Sequence, residues 1–285
     1  MAEAPALLLV GHGSRSGPGV AAYWEFADVL QSEAPELRLG CGFIELAEPG
    51  LDAAIDQLVE AGATSVVAVP LVLLGAGHMK NDGPAALARA RGRHRDVDFA
   101  YARDLGVHPA PLDVATERIT AVAGGWPVEA TAVVVVSRGS SDPDANADLF
   151  KVSRLLWDAG HAQWVEPAFV SLAPPTVPDA LERCRRLGAT RIALVPYFLF
   201  TGVLVERIGA QARAWAAEHP EIAVRTGLEL GADRRLARLV LERYREALEG
   251  DVRMNCDYCA YRVALPGYED RLGTPLVIHT HTHDH

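Results

Sequence analysis

Residues 42–79 read GFIELAEPGLDAAIDQLVEAGATSVVAVPLVLLGAGHM, and residues 168–205 read AFVSLAPPTVPDALERCRRLGATRIALVPYFLFTGVLV. Eleven of the 38 positions are identical at a constant offset of 126, among them Gly62-Ala63-Thr64 with Gly188-Ala189-Thr190 and Pro70 with Pro196. The same offset lays Val10-Gly11-His12-Gly13-Ser14 on Val136-Ser137-Arg138-Gly139-Ser140. The chain is an internal duplication.

Each copy alternates between two periodicities. Ala6–Val10, Arg38–Ile44, Ser65–Leu73 and Val97–Ala102 are short apolar runs bounded by Gly and Pro, as expected of strands buried on both faces. Between them Pro18–Ser32, Pro49–Ala61 and Pro84–Ala90 carry helical spacing, each opening on a Pro suited to a first turn. The second copy repeats the pattern, with strands near Ala132–Val136, Trp164–Val170, Arg191–Phe198 and Ile222–Leu228. Its helices are expected near Ala145–Ala159, Val177–Leu187, Val205–Glu218 and Arg234–Leu248. The fold class that follows is α/β: two similar domains, each a parallel β-sheet flanked by helices, with a central cleft at the strand ends as the expected ligand site. The expected division is 1–124, 125–250 and a tail, 251–285, that has no counterpart after the first copy.

Composition narrows the partners. With 27 Lys+Arg against 37 Asp+Glu the chain carries a net charge of −10, which argues against nucleic acid, whose phosphates call for a basic face. The apolar run Ala6–Val10 is too short for a signal-peptide core. The longest apolar run, Val66–Leu74, contains Pro70 and falls far short of the ~20 residues a membrane helix needs. A cytoplasmic protein without a membrane partner is the expectation. Four cysteines, Cys41, Cys184, Cys256 and Cys259, are too few for a disulfide scaffold at this length. Cys41, in a strand pattern, and Cys184, aligned with Leu58 on a helix face, read as small core hydrophobes.

Differences between the copies locate the chemistry. His12 lies at the end of the first strand, Glu45 at the end of the second and His78 at the end of the third, and their counterparts are Arg138, Ser171 and Leu204. Two imidazoles and a carboxylate with open positions suit a borderline ion such as Co²⁺, Ni²⁺, Fe²⁺ or Zn²⁺ better than Mg²⁺ or Ca²⁺. A metal carrier or store would use the same ligands.

The segments LLLVGHGSR, GFIELAEP and VPLVLLGAGHMKND resemble, in order and spacing, the class II chelatases of tetrapyrrole synthesis, specifically the sirohydrochlorin cobaltochelatase group. The resemblance covers nearly the whole chain, and the long members of that group look like two fused copies of a short homodimeric form. It implies ATP-independent insertion of a divalent metal, cobalt first and Fe²⁺ or Ni²⁺ as alternatives, into sirohydrochlorin on the route to cobalamin. It further implies that His12 and His78 bind metal and accept protons, with Glu45 as a third ligand or acid/base carboxylate. Metallation displaces two pyrrole N–H protons, so a base near the ring nitrogens is needed, and neutral His combines that role with intermediate metal affinity. The substrate carries eight carboxylates, for which Arg15, Lys80, Arg138 and the turns at Ser14 and Ser140 are the expected partners.

The tail reads VRMNCDYCAYR and ends HTHTHDH. The Met254-x-Cys256-x-x-Cys259 unit fits a dithiol, a soft-metal site or half of an iron–sulfur site, and the resemblance adds a 4Fe-4S cluster. Such a cluster normally takes four thiolates, so with two local ones it needs either two from a second subunit, which would make a cluster-bridged dimer, or non-Cys ligands; otherwise the fused copies imply a monomeric catalytic unit. His279, His281, His283 and His285 alternate with other residues, unlike the continuous run of an expression tag, and read as an accessory metal-holding end.

Overall fold

The computed structural model describes residues 4–250, apart from the side chain of His78. The first repeat runs β1 (Ala6–Gly11), α1 (Gly17–Glu33), β2 (Leu39–Phe43), α2 (Leu51–Glu60), β3 (Ser65–Pro70), α3 (Gly77–Arg93), β4 (Asp98–Tyr101) and α4 (Pro109–Ala123). After a short 3₁₀ turn, Val128–Ala130, the second runs β5 (Thr131–Ser137), α5 (Pro143–Asp158), β6 (Trp164–Phe169) and α6 (Val177–Arg186). It continues through β7 (Arg191–Pro196), α7 (Val203–Glu218), β8 (Ala223–Thr226) and α8 (Arg234–Glu249). Two four-stranded sheets result, ordered β2-β1-β3-β4 and β6-β5-β7-β8, with every pairing parallel.

Burial on both faces explains the unbroken apolar strands. Along β1, Leu7 and Leu9 face one core while Ala6, Leu8 and Val10 face another, and β5 divides Val133 and Val135 from Ala132, Val134 and Val136 in the same way. Parallel strands covered on both sides have no face to leave polar. The layers are α2 and α3, the first sheet, a shared helical layer, the second sheet, and α6 with α7.

The shared layer is crossed over. Helix α4, from the first repeat, packs on β7 and β8 beside α5, while α8, from the second, packs on β3 and β4 beside α1. The central core therefore draws on both sheets, from Leu7 and Val67 to Val133 and Val195. A cut at 124/125 separates the sheets, but the packing of α4 and α8 runs across it. Two arginines pin the exchange. Arg243 of α8 donates to the Asp104 and Leu105 carbonyls (3.1 and 2.9 Å), and Arg118 of α4 donates to the Glu229 and Leu230 carbonyls (2.9 and 2.8 Å).

Helix starts depart from the Pro-based expectation. Pro18, Pro109, Pro143 and Pro178 do sit in first turns, where a missing N–H costs nothing. Pro49 instead precedes the Gly50 N-cap of α2, and Pro84 lies inside α3, which begins seven residues earlier at Gly77. Helix α4 matches no expected element: its opening, Pro-Ala-Pro, reads as a turn, yet the His108 side chain caps the Ala110 N–H and the prolines fit the first turn.

A shared core makes a thermodynamic prediction. Leu236 of α8 is fully buried in it, so Leu236→Ala should cost about 2–5 kcal/mol. Calorimetry should still record one cooperative transition for both repeats, shifted to lower temperature. Two separated transitions, with only one displaced, would contradict the crossed packing.

Candidate functional site

The loops after β1 and β2 are pressed together by backbone geometry. Gly13 has φ +94°, and a Cβ there would lie 1.7 Å from the Glu45 carbonyl oxygen, so only glycine fits. Gly11 O accepts the Ile44 N–H at 2.9 Å and His12 O accepts the Glu45 N–H at 3.1 Å. The approach brings His12 Nε2 to 3.6 Å from Glu45 Oε1, with the side chains 30% and 43% exposed. A half-open imidazole and a half-open carboxylate on one ledge can share an incoming cation or pass a proton between them. The two groups read from the sequence as partners are thus adjacent.

His78 is placed differently from the expectation. Strand β3 ends at Pro70, and His78 lies in the first turn of α3 rather than at a strand end. Leu71 N–H still donates to Val10 O at 2.9 Å, the Val72 N–H then turns back onto Pro70 O at 3.0 Å, and a loop leads from there into the helix. Among the described residues no group of three His, Cys, Asp or Glu side chains forms a metal cluster. The side chain of His78 is not among them.

The second repeat keeps the frame and changes its chemistry. Gly139 has φ +85°, a Cβ there would lie 2.1 Å from Ser171 O, and Ser171 N–H donates to Arg138 O at 3.0 Å. Where His12 and Glu45 stand, this half offers Arg138 and Ser171. Arg138 and Arg15 are exposed and form no ion pair among the described residues. Ser14 Oγ accepts the Ser16 N–H and Ser140 Oγ accepts the Asp142 N–H, both at 3.0 Å, so these hydroxyls shape their turns.

Lys80 links the halves. Its Nζ lies 2.8 Å from Asp142 Oδ2 and 3.1 Å from Asp144 Oδ2, at the N-terminus of α5. Hydrogen bonds to Asp142 and Asp144 hold the Lys80 pKa above its ordinary value, and the bond from Lys80 holds Asp142 below its own. Being exposed, this contact adds little to stability. A polyanion reaching Lys80 competes with two carboxylates.

Sequence reasoning missed Leu46 and Leu172. Both have positive φ, +65° and +64°, and both are exposed, just beyond Glu45 and Ser171. Leu46 lines a cleft of about 340 Å³ with Phe43, Ile44, Glu45, Ala47, Glu48 and Gly50. The repeated Leu-Ala-x-Pro in ELAEP and SLAPP was the available signal. A larger groove, about 580 Å³, runs along α8 past Glu33, Arg238 and Glu249, away from His12 and Glu45. Cys41 and Cys184 are free thiols, half-buried and buried; burial pushes them up to about 11 and about 12, in keeping with packing roles. Cys256, Cys259, His279, His281, His283 and His285 lie outside the described residues.

Fold and site together define a class: a duplicated parallel α/β protein in which one repeat carries an imidazole–carboxylate pair and the other a cationic substitute. The CbiX family model matches it twice, over residues 6–122 and 132–247. The chain is 38% identical to a sirohydrochlorin cobaltochelatase of Priestia megaterium, over 93% of this chain and 87% of that one. It is 30% identical to a sirohydrochlorin ferrochelatase of Bacillus subtilis, over 76% and 82% of the two chains. The structure of SirB from Bacillus subtilis with Fe³⁺ superposes with a TM-score of 0.75 at 30% identity, covering 87% of this chain and 98% of that one. The chain belongs to the CbiX family of chelatases. No helix of the described residues is long and apolar enough to cross a membrane.

The ledge geometry is testable by a paired substitution. Gly13→Ala and Gly139→Ala meet the same backbone obstruction and should cost similar stability. Only Gly13→Ala should separate His12 from Glu45, lowering Co²⁺ affinity by about tenfold or more in calorimetric titration. Equal Co²⁺ affinities in the two variants would remove the His12–Glu45 pair from metal binding.

Proposed function

We propose that this protein inserts a divalent metal, cobalt first, into sirohydrochlorin without ATP, on the route to cobalamin. The observation that carries the reading is the His12–Glu45 pair at the strand ends of one repeat, replaced by Arg138 and Ser171 in the other. Support for cobalt comes from the 38% identical cobaltochelatase; iron is the second reading, favoured by the 30% identical ferrochelatase. Nickel suits the same donors.

Each residue then has a task. His12 and His78 hold the metal ion weakly and receive the protons released as the ring nitrogens take it, which neutral imidazole can do near neutral pH. Glu45 neutralises the incoming charge and takes a proton from His12. Arg138, Arg15 and Lys80, with the Ser14 and Ser140 turns, meet the carboxylates of the macrocycle, Lys80 by leaving Asp142 and Asp144. Leu46 and Leu172 add apolar surface against its flat face. Residues 1–124 carry the metal-handling groups and part of the carboxylate-facing set, and 125–250 supplies Arg138 and Ser140 to that set, in a monomeric catalyst in the cytoplasm with no nucleic acid or membrane partner.

The tail, 251–285, acts as an accessory. Cys256 and Cys259 hold a soft metal or part of a 4Fe-4S cluster, and His279, His281, His283 and His285 raise the local metal concentration. Cys41 and Cys184 are fixed in packed positions, so one chain does not complete four thiolates and a cluster takes either thiolates from a second copy or non-Cys ligands. No catalytic step depends on it.

Mixing purified protein with sirohydrochlorin and Co²⁺, Fe²⁺ or Ni²⁺ in parallel, followed by absorbance, tests the reaction. His12→Ala and His78→Ala should each cut the initial rate at least a hundredfold, and Glu45→Gln at least tenfold, with folding intact. Binding of metal with no change in the tetrapyrrole spectrum would favour a carrier. Truncation after Gly250 should preserve the rate at saturating metal and raise the metal concentration needed for half of it. Arg138→Ala should weaken sirohydrochlorin binding and spare Co²⁺ affinity, measured by titration of each; the reverse pattern would exchange the roles of the two repeats.

A further inference from the structure

The loop that leads from β3 to His78 is tied down by a residue with no place in the proposed metal set. Gly75 N–H donates to Asp104 Oδ2 at 2.6 Å, and a Cβ on Gly75 would lie 2.7 Å from the same oxygen. Beside it, Leu105 N–H donates to Val72 O at 3.0 Å. Asp104 sits in the β4–α4 loop, which α8 of the second repeat clamps from behind. Arg243, with no exposed side-chain surface, gives its Nε to Asp104 O and its Nη2 to Leu105 O. Its Nη1 lies 2.8 Å from Glu246 Oε1, and Glu246 also takes Arg103 at 3.0 Å. A chain of hydrogen bonds thus runs from α8 through Asp104 to the backbone three residues before His78.

The other repeat supplies the comparison. Arg118 clamps the Glu229 and Leu230 carbonyls as Arg243 clamps those of Asp104 and Leu105, at an offset of 125 in both donor and acceptors. Among the described residues, however, no hydrogen bond joins the Glu229 side chain to Thr201, the counterpart of Gly75. The arginine clamp belongs to the duplicated fold, while the carboxylate tie occurs in the repeat that carries the histidine. Burial also pushes the Asp104 carboxyl above its ordinary range, with the Asp148 charge adding to the effect, so this group is held in place despite an environment unfavourable to its charge.

We propose that Asp104 is a positioning residue: it fixes the β3–α3 loop so that His78 stands ready for metal, and the second repeat enforces this through Arg243. The inference rests on the reading of His78 as a metal ligand. Groups hydrogen-bonded directly to a metal ligand commonly change metal affinity by about 10–100-fold, and Asp104, which acts through the loop backbone, falls at the low end of that range.

Calorimetric titration with Co²⁺, together with thermal unfolding, tests it on the wild type, Asp104→Ala, Asp104→Asn, His78→Ala and the Asp104→Ala/His78→Ala double variant. Asp104→Ala should bind Co²⁺ about tenfold or more weakly. Asp104→Asn, which keeps an acceptor oxygen for Gly75, should stay within about threefold of the wild type. The double variant should bind no more weakly than His78→Ala, because Asp104 acts through His78. Should Asp104→Ala not fold, Asp104→Glu carries the test, since its added methylene displaces the acceptor while keeping the charge, and it too should lose affinity. Unchanged affinity in the folded Asp104 variant, or a loss in the double variant equal to both single losses combined, overturns the positioning role. Wild-type affinity in His78→Ala would instead overturn the ligand reading beneath it.

Discussion

Everything in this molecule depends on the exchange of α4 and α8. A sheet buried on both faces needs helices on both sides, and each repeat leaves one side of its own sheet partly bare once its last helix departs. Helix α8 covers β3 and β4, α4 covers β7 and β8, and the central core belongs to both. The exchange also carries polar groups inward: Arg243 is fully buried, and the loop carbonyls and Glu246 around it provide its compensation. Removing one partner from such a buried pair costs about 3–5 kcal/mol. The two strand-end ledges are therefore fixed relative to one another by the interior of the protein.

On that rigid frame the two repeats diverged in chemistry while keeping their backbone. Gly13 and Gly139 share a left-handed φ, Leu46 and Leu172 share another, and the carbonyl-to-amide bonds between neighbouring loops correspond one for one. A glycine that no side chain can replace preserves the ledge, and the adjoining side chain is free to change. One ledge carries His12 beside Glu45 and the other Arg138 beside Ser171. A symmetric homodimer must place the same residues on both ledges. A fused duplicate need not, so the imidazole–carboxylate pair is confined to one half while the corresponding ledge of the other carries a guanidinium.

Most of this architecture was legible because the repeat and the apolar strands are strong local signals. LLLV at 7–10 and VVVV at 133–136 are buried end to end, and each read directly as a strand. The first His and the Glu were legible for the same reason, as polar residues ending apolar runs. What failed were readings that depend on the rest of the fold. Pro84 resembles a helix start but is carried inside α3, and His78 follows a strand that ends eight residues before it. Helix α4 hides behind its prolines because its partner is the other sheet. Asp104 is one acidic residue among many until Gly75 and Arg243 close on it. The exposed leucines left only the repeated Leu-Ala-x-Pro as a trace, because apolar residues are expected inside and their exposure is set by the fold.

Anomalous diffraction at the cobalt edge, on crystals of the full chain soaked with a stoichiometric amount of Co²⁺, tests the central assignment most directly. A single strong peak within coordination distance of the His12 and His78 nitrogens, with Glu45 beside it and nothing at Arg138 and Ser171, is the predicted result. A peak on the second ledge, or on neither ledge with the metal held elsewhere within residues 4–250, contradicts the assignment of metal to the first repeat.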